Sequence, residues 1–136
     1  MTRIRIGQGF DVHRFKSGRP LVLCGHLLEG EPGLDGHSDG DVALHAVADA
    51  ILGAVAGGDI GVIFPADDAT WKGAQSSLFV SEALERATAD GFSIVNCDVT
   101  LIGERPRIAP HRLVLRRSLA AVLHVDEAAV SVKATT

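Results

Sequence analysis

Aromatic side chains are scarce in this chain: tyrosine is absent, tryptophan occurs once, and aromatics make up 4% of 136 residues. Stacking platforms for single-stranded nucleic acid need such rings, so that class is not expected. Basic residues are not in excess either. There are 13 against 17 acidic residues, for a net charge of -4, and no lysine/arginine run offsets the balance. A general nucleic-acid surface is therefore excluded, although a local cluster for a few phosphates is not. Every apolar run is broken well short of the ~20 residues that cross a bilayer, so no membrane partner is expected. The opening Met1-Thr2-Arg3-Ile4-Arg5-Ile6-Gly7 lacks the apolar stretch of a secretory signal. Two cysteines, Cys24 and Cys97, allow one bridge at most. Reduced, buried thiols in a cytoplasmic or organellar-matrix protein follow. Dividing the length would leave halves too small to bury a core each, so residues 1–136 are expected to form a single domain.

What the chain does have is glycine (15) and histidine (six), both concentrated in particular stretches. Arg3 to Gly7 alternates in a period of two and predicts a strand, and Leu21–Cys24 predicts a second, more buried one. Leu28 to Gly40 reads as a loop. Val42, Leu44, Val47, Ala50, Ile51, Ala54 and Val55 predict a helix over Asp41–Ala56, capped by Ser38 or Asp39 and stopped by Gly57-Gly58. A loop to Gly73 follows, then a helix from Ser76 or Ser77 that Gly91 ends. Val95 to Leu101 alternates as a strand. Gly103 to Ile108 is a turn, Pro110 opens a third helix, and Val130 and Val132 begin a last strand. This order predicts an α/β (α+β) sandwich, a mixed sheet with helices on one face.

Chemistry-bearing residues fall into a few clusters. In extended backbone Asp11 and His13 project to the same side. Asp41, His45 and Asp49 are spaced four apart, a polar stripe on an otherwise apolar helix. Asp11, His13 and His45 make a three-ligand set for a divalent metal with a position left open, as in catalytic zinc. Ferrous iron in a facial triad takes the same ligand types, but the short-strand pattern of such oxygenases is absent. Ordinary hydrogen-bonded histidines with Asp11 as a cap are the simpler alternative. Gly57-Gly58-Asp59-Ile60-Gly61 either brings backbone amides to a ligand or ends a helix. It is no Walker loop, because no G-K-[ST] follows. Arg105-Pro106-Arg107 and Lys133-Ala134-Thr135-Thr136 are either phosphate contacts at strand ends or solvated surface. Asp67-Asp68 most simply starts a turn. His26, His111 and His124 have no convergent acidic neighbours.

Read together and in order, GFDVHRF, GHSDGDVALHAVADAILGA, GDIGVIFP, WKGAQS, VTLIGERPRI and VKATT resemble the 2-C-methyl-D-erythritol 2,4-cyclodiphosphate synthase family, from Ile6 to Thr136. The D-V-H element followed by H-S-D-G-D-V-x-x-H is highly specific in combination. The resemblance implies one zinc ion per subunit on Asp11, His13 and His45. It also implies a second ion, magnesium or manganese, bridging the substrate diphosphate. The implied reaction cyclises 4-diphosphocytidyl-2-C-methyl-D-erythritol 2-phosphate and releases CMP, in non-mevalonate isoprenoid synthesis, a phosphorus–oxygen lyase activity. His37 and Thr136 match stabilisers of the transition state, with Ser38 beside His37 on the phosphate. Asp49, Asp59, Gly61, Phe64 and Asp68 match substrate-side positions, to which Asp11 and His13 also belong. Gly103, Pro106, Arg107, Ile108 and Ala109, with Ala134, Thr135 and Thr136, match the cytidine diphosphate pocket. The family works as a homotrimer with sites between subunits, which implies that the free sheet face meets neighbouring chains.

Two departures stand out. The position after Phe64-Pro65 is often acidic in the family and is Ala66 here, with Asp67 or Asp68 able to compensate. Family chains also continue past the position of Thr136 with a third threonine, a glutamate for the second metal, a glycine-rich turn and a strand. The domain is thus expected to lack its C-terminal strand. The alternative expectation is a trimer that holds zinc and nucleotide without turnover.

Overall fold

The computed structural model describes residues 3–136, so the first two residues of the stretch read for a secretory signal lie outside it. Among the described residues, four short strands precede three α-helices, and a strand–helix–strand unit follows; the strands form three two-stranded sheets. β1 (Phe15–Lys16) pairs antiparallel with β4 (Gly33–Leu34), and β2 (Leu21–Leu23) with β3 (His26–Leu28) as a hairpin. Helices α1 (Val42–Ala54) and α3 (Ser77–Ala89) pack on each other, with the single turn of α2 (Ile60–Ile63) beside α1. β5 (Cys97–Ile102) and β6 (Val130–Thr135) run parallel, from Cys97 opposite Val130 to Ile102 opposite Thr135. Parallel neighbours need a long crossover, and α4 (Arg112–Leu123) supplies it.

The buried residues follow the expected periods. Leu44, Val47, Ala48, Ile51 and Leu52 of α1 meet Phe79, Val80, Ala83 and Ala87 of α3 in one core. Leu115, Leu119 and Leu123 of α4 cover Val130 and Val132 of β6, and Val99 of β5 joins the same core. Residues alternating with those valines (Asp98, Thr100, Ser131 and Lys133) are exposed. Both thiols are free, and burial pushes them up, Cys97 to about 11 and Cys24 further. No helix among the described residues is long and apolar enough to cross a membrane.

Several expectations need correction. The described strands form separate pairs and not one mixed sheet. The loop expected at Leu28–Gly40 contains β4, and the loop expected at Gly57–Gly73 contains α2 and a tight 3-10 turn, Ala69–Trp71. Pro110 sits in a 3-10 turn ahead of α4, and Asp41, not Ser38 or Asp39, caps α1 by accepting from Leu44 N–H at 3.0 Å.

The clearest departure is Arg3–Gly7, which pairs with no strand. Its isoleucines point to solvent, Ile4 82% and Ile6 90% exposed, while its glycines face the protein. A Cβ on Gly7 would lie 1.7 Å from the Ala50 carbonyl oxygen, and one on Gly9 would lie 1.7 Å from that of Ala46. Arg5 continues the series by donating to the Ala54 carbonyl at 3.4 Å. Two extended residues advance ~6.6 Å and four helical residues ~6.0 Å, so alternate residues of the segment stay in step with successive turns of α1. An alternating Arg/Ile pattern gives no hint that the partner is helix backbone.

Gly9→Ala should therefore displace the segment and lower stability by about 1–3 kcal/mol in urea denaturation. Gly53→Ala, inside α1 with only the Gln8 carbonyl oxygen at 3.9 Å, should be neutral or stabilising by up to ~1 kcal/mol.

Candidate metal centre

The extended segment delivers Asp11 and His13 to the first turns of α1, where His45 projects from a buried position. Asp11 Oδ2 lies 2.7 Å from His13 Nε2 and 2.9 Å from His45 Nδ1, and the two ring nitrogens are 3.1 Å apart. The outer nitrogens are already committed. His13 Nδ1 meets the backbone carbonyl of Asp35, which only accepts, so this nitrogen carries the proton. His45 Nε2 lies 2.9 Å from Ser76 Oγ and 3.0 Å from Ser38 Oγ. Ser76 donates its hydroxyl proton to the Asp39 carboxylate, so it receives from His45 Nε2. Two lone pairs and a carboxylate oxygen thus converge with no donor among them, a set completed by a cation. Two imidazoles and a carboxylate fit a three-ligand divalent site with an open position.

Without a cation, a proton on the imidazoles takes its place, and they then donate to Asp11. Burial would raise the Asp11 carboxyl, but hydrogen bonds to His13 and then His45 hold it well below the usual range. The Asp11 hydrogen bond raises His13 above its ordinary 6.5, against the opposing effect of burial.

The polar stripe on α1 separates into three roles. Asp41, fully buried, also accepts from Cys24 N–H at 3.1 Å and Gly25 N–H at 2.6 Å, tying the β2–β3 turn to the helix start. Burial pushes its carboxyl up to about 6, with those backbone donors opposing. His45 faces the metal site. Asp49 accepts from Ile60 N–H at 2.8 Å and so holds α2.

Other expected residues are placed as follows. His37 is exposed and borders an open cleft of about 460 Å³ with His13, Arg14, Lys16 and Gly36. Ser38 is buried behind His45. Asp59 caps α2 through Val62 N–H at 3.0 Å, and Gly61 is exposed within that turn. Phe64 packs on Trp71 and Phe79 with ring centroids 4.6 Å away in each case. Asp68 accepts from Thr70 N–H at 2.9 Å. Gly103 donates to the Thr135 carbonyl at 3.0 Å, which brings the 103–109 turn against Ala134–Thr136 at the ends of β5 and β6. In that turn Pro106 and Ile108 are buried, while Arg107 and Ala109 are exposed. No hydrogen bond among the described residues joins this second cluster to the triad. Sequence reasoning missed Ser76 and Asp39 as partners of a ligand, because both read as helix caps. It also missed Gly36, where a Cβ would come within 3.2 Å of the His13 ring.

Residues 4–136 match the model of the YgbB family. The chain belongs to that family. A 2-C-methyl-D-erythritol 2,4-cyclodiphosphate synthase of Cereibacter sphaeroides is 53% identical over 133 residues, 98% of this chain and 84% of that protein. A bifunctional enzyme IspD/IspF of Novosphingobium aromaticivorans is 53% identical over 97% of this chain and 34% of its own length. A solved cyclodiphosphate synthase in a CDP-bound form superposes with a TM-score of 0.90 at 40% identity, covering 96% of this chain and 87% of that one.

Metal retention should weaken on acidification, because a cation and a proton compete for His13 Nε2. The sign for the metal-free protein is opposite. Protonated His13 contributes stability that is full below about 6.5 and lost as pH rises through its raised value, while Asp11 contributes above about 3.8. The gain in urea midpoint on adding zinc should accordingly grow between about pH 5 and pH 8; a constant gain would contradict the ligand assignment.

Proposed function

We propose that this chain catalyses the reaction for which its relatives are named, the cyclisation of 4-diphosphocytidyl-2-C-methyl-D-erythritol 2-phosphate with release of CMP. The observation that carries the reading is the convergence of Asp11, His13 and His45 beside an open polar cleft, in a chain that aligns with these synthases over almost its whole length. The 2-phosphate oxygen attacks the diphosphate phosphorus nearer the sugar alcohol, and the bond from that phosphorus to the CMP oxygen breaks. Nucleophile and electrophile belong to one molecule, so the protein's work is to fold the substrate and stabilise charge.

The ligand types suit zinc, which when bound supplies Lewis-acid stabilisation of negative charge on a phosphoryl oxygen. Arg14, Lys16 and Asp35 line the cleft; Lys16 pairs with Asp35 at 3.0 Å, and Arg14 leaves the lining with a net positive charge for the phosphates. His37, on the rim, donates a hydrogen bond to the transferring phosphoryl group, with Ser38 bracing His45 from below. Asp59 and Gly61 hold substrate hydroxyls at the start of α2, alongside Asp49, Phe64 and Asp68. The second cluster forms the cytidine diphosphate pocket, with Thr136 as the second stabiliser of the transition state. A second divalent ion, magnesium or manganese, would offset negative charge on the substrate diphosphate.

A homotrimer accounts for two features at once. The triad and the 103–109/134–136 cluster share no hydrogen bond, so a neighbour's cluster can complete each site. Ile4, Ile6, Phe10 and Val12 form an exposed apolar row that a neighbouring chain would cover.

With zinc and magnesium the protein should convert substrate to the cyclic diphosphate and CMP in equal amounts. Zinc and CDP binding without turnover would remove the catalytic reading and leave a ligand-binding trimer. His45→Ala should abolish both zinc retention and turnover, read by metal analysis and CMP release.

A further inference from the structure

We infer that Asp39 is a positioning residue for the metal centre, acting on the ligand His45 through the hydroxyl of Ser76. The inference rests on the metal-centre reading above.

Ser76 is completely buried at the start of α3, and His45 is 6% exposed, so neither side chain can exchange its partner for water. Around Ser76 Oγ the donors and acceptors resolve in one way. Asp39 Oδ1 accepts from the Ser76 hydroxyl, and Asp39 Oδ2 accepts from Ser76 N–H at 3.1 Å. Ser38 Oγ accepts from Gly40 N–H at 3.2 Å and lies 3.3 Å from Ser76 Oγ, so its own hydroxyl is free to donate there. Ser76 Oγ then takes the proton of His45 Nε2. Remove Ser76, and His45 Nε2 keeps only Ser38 Oγ, at 3.0 Å, which Asp39 does not touch. Remove the Asp39 charge, and the hydroxyl is no longer polarised away from the imidazole, which becomes a weaker base toward a cation.

Asp39 is itself held. Its N–H donates to the Ala74 carbonyl at 3.0 Å, and its Oδ1 accepts from Asp41 N–H at 3.1 Å. Gly73 N–H donates to the His37 carbonyl at 2.6 Å. The strap 73–76 is therefore stitched to residues 37–39, so the same contacts orient the ligand's partner and the rim histidine.

The test measures zinc affinity by competition with a chromophoric chelator, and the visible d–d band of the cobalt(II)-loaded protein. Ser76→Ala should weaken zinc by roughly 10–100-fold and shift the cobalt band. Asp39→Asn, which keeps the shape and an acceptor oxygen, should weaken it less. The double variant should be about as weak as Ser76→Ala alone, because the Asp39 charge reaches His45 through that hydroxyl. Affinities of both single variants within about twofold of the unaltered protein would overturn the inference, as would losses that multiply in the double variant. Turnover by the unaltered protein tests the cyclisation separately, so the two readings can fail independently.

Discussion

Backbone laid on backbone makes the metal centre possible. Gly7 and Gly9 seat the extended N-terminal segment directly on α1, closer than any side chain would permit. That contact fixes both the height and the rotation of Asp11 and His13 relative to His45. Side chains at the two positions would push the segment outward, because a Cβ 1.7 Å from a carbonyl oxygen lies far inside van der Waals contact. The segment would still be covalently attached, but its ligands would no longer meet a third.

From this contact the rest of the site is built outward. Each histidine has its outer nitrogen engaged, His13 by the Asp35 carbonyl and His45 by the Ser76 hydroxyl. Both inner nitrogens are thereby left as acceptors beside a carboxylate. Asp41 contributes from the other side by joining the start of α1 to the β2–β3 turn, and Asp49 anchors α2. Arg19 donates to the Gly36 carbonyl at 2.7 Å and the Ser38 carbonyl at 2.6 Å, holding the loop that supplies Asp35 to Ser38. Arg19, Asp41 and Asp49 thus serve as joints between elements.

Long periodic segments were legible in the sequence: α1, α3, α4, β5 and β6 lie where the apolar spacing puts them, within a few residues. The short pieces were not. β1, β3 and β4 are two or three residues each and exist only because a partner strand satisfies their backbone groups, which no local pattern reports. The strand read at Arg3–Gly7 failed for a related reason, since alternation says which side chains share a face and not what lies against the backbone. In the site, the candidate ligand set of Asp11, His13 and His45 was legible from residue type and spacing, and Asp39 and Ser76 were not. Both look like helix caps, and they lie 37 positions apart.

What the sequence determined by itself was the chemistry on offer: two imidazoles and a carboxylate at particular spacings, embedded in strings shared with one enzyme family. Ligand type depends on the side chain alone, and the sequence states it outright. What only the tertiary structure decided was which nitrogen of each histidine is free. Tautomer and orientation depend on what each ring's far side touches, and those partners, a loop carbonyl and a serine at the head of another helix, arrive through folding.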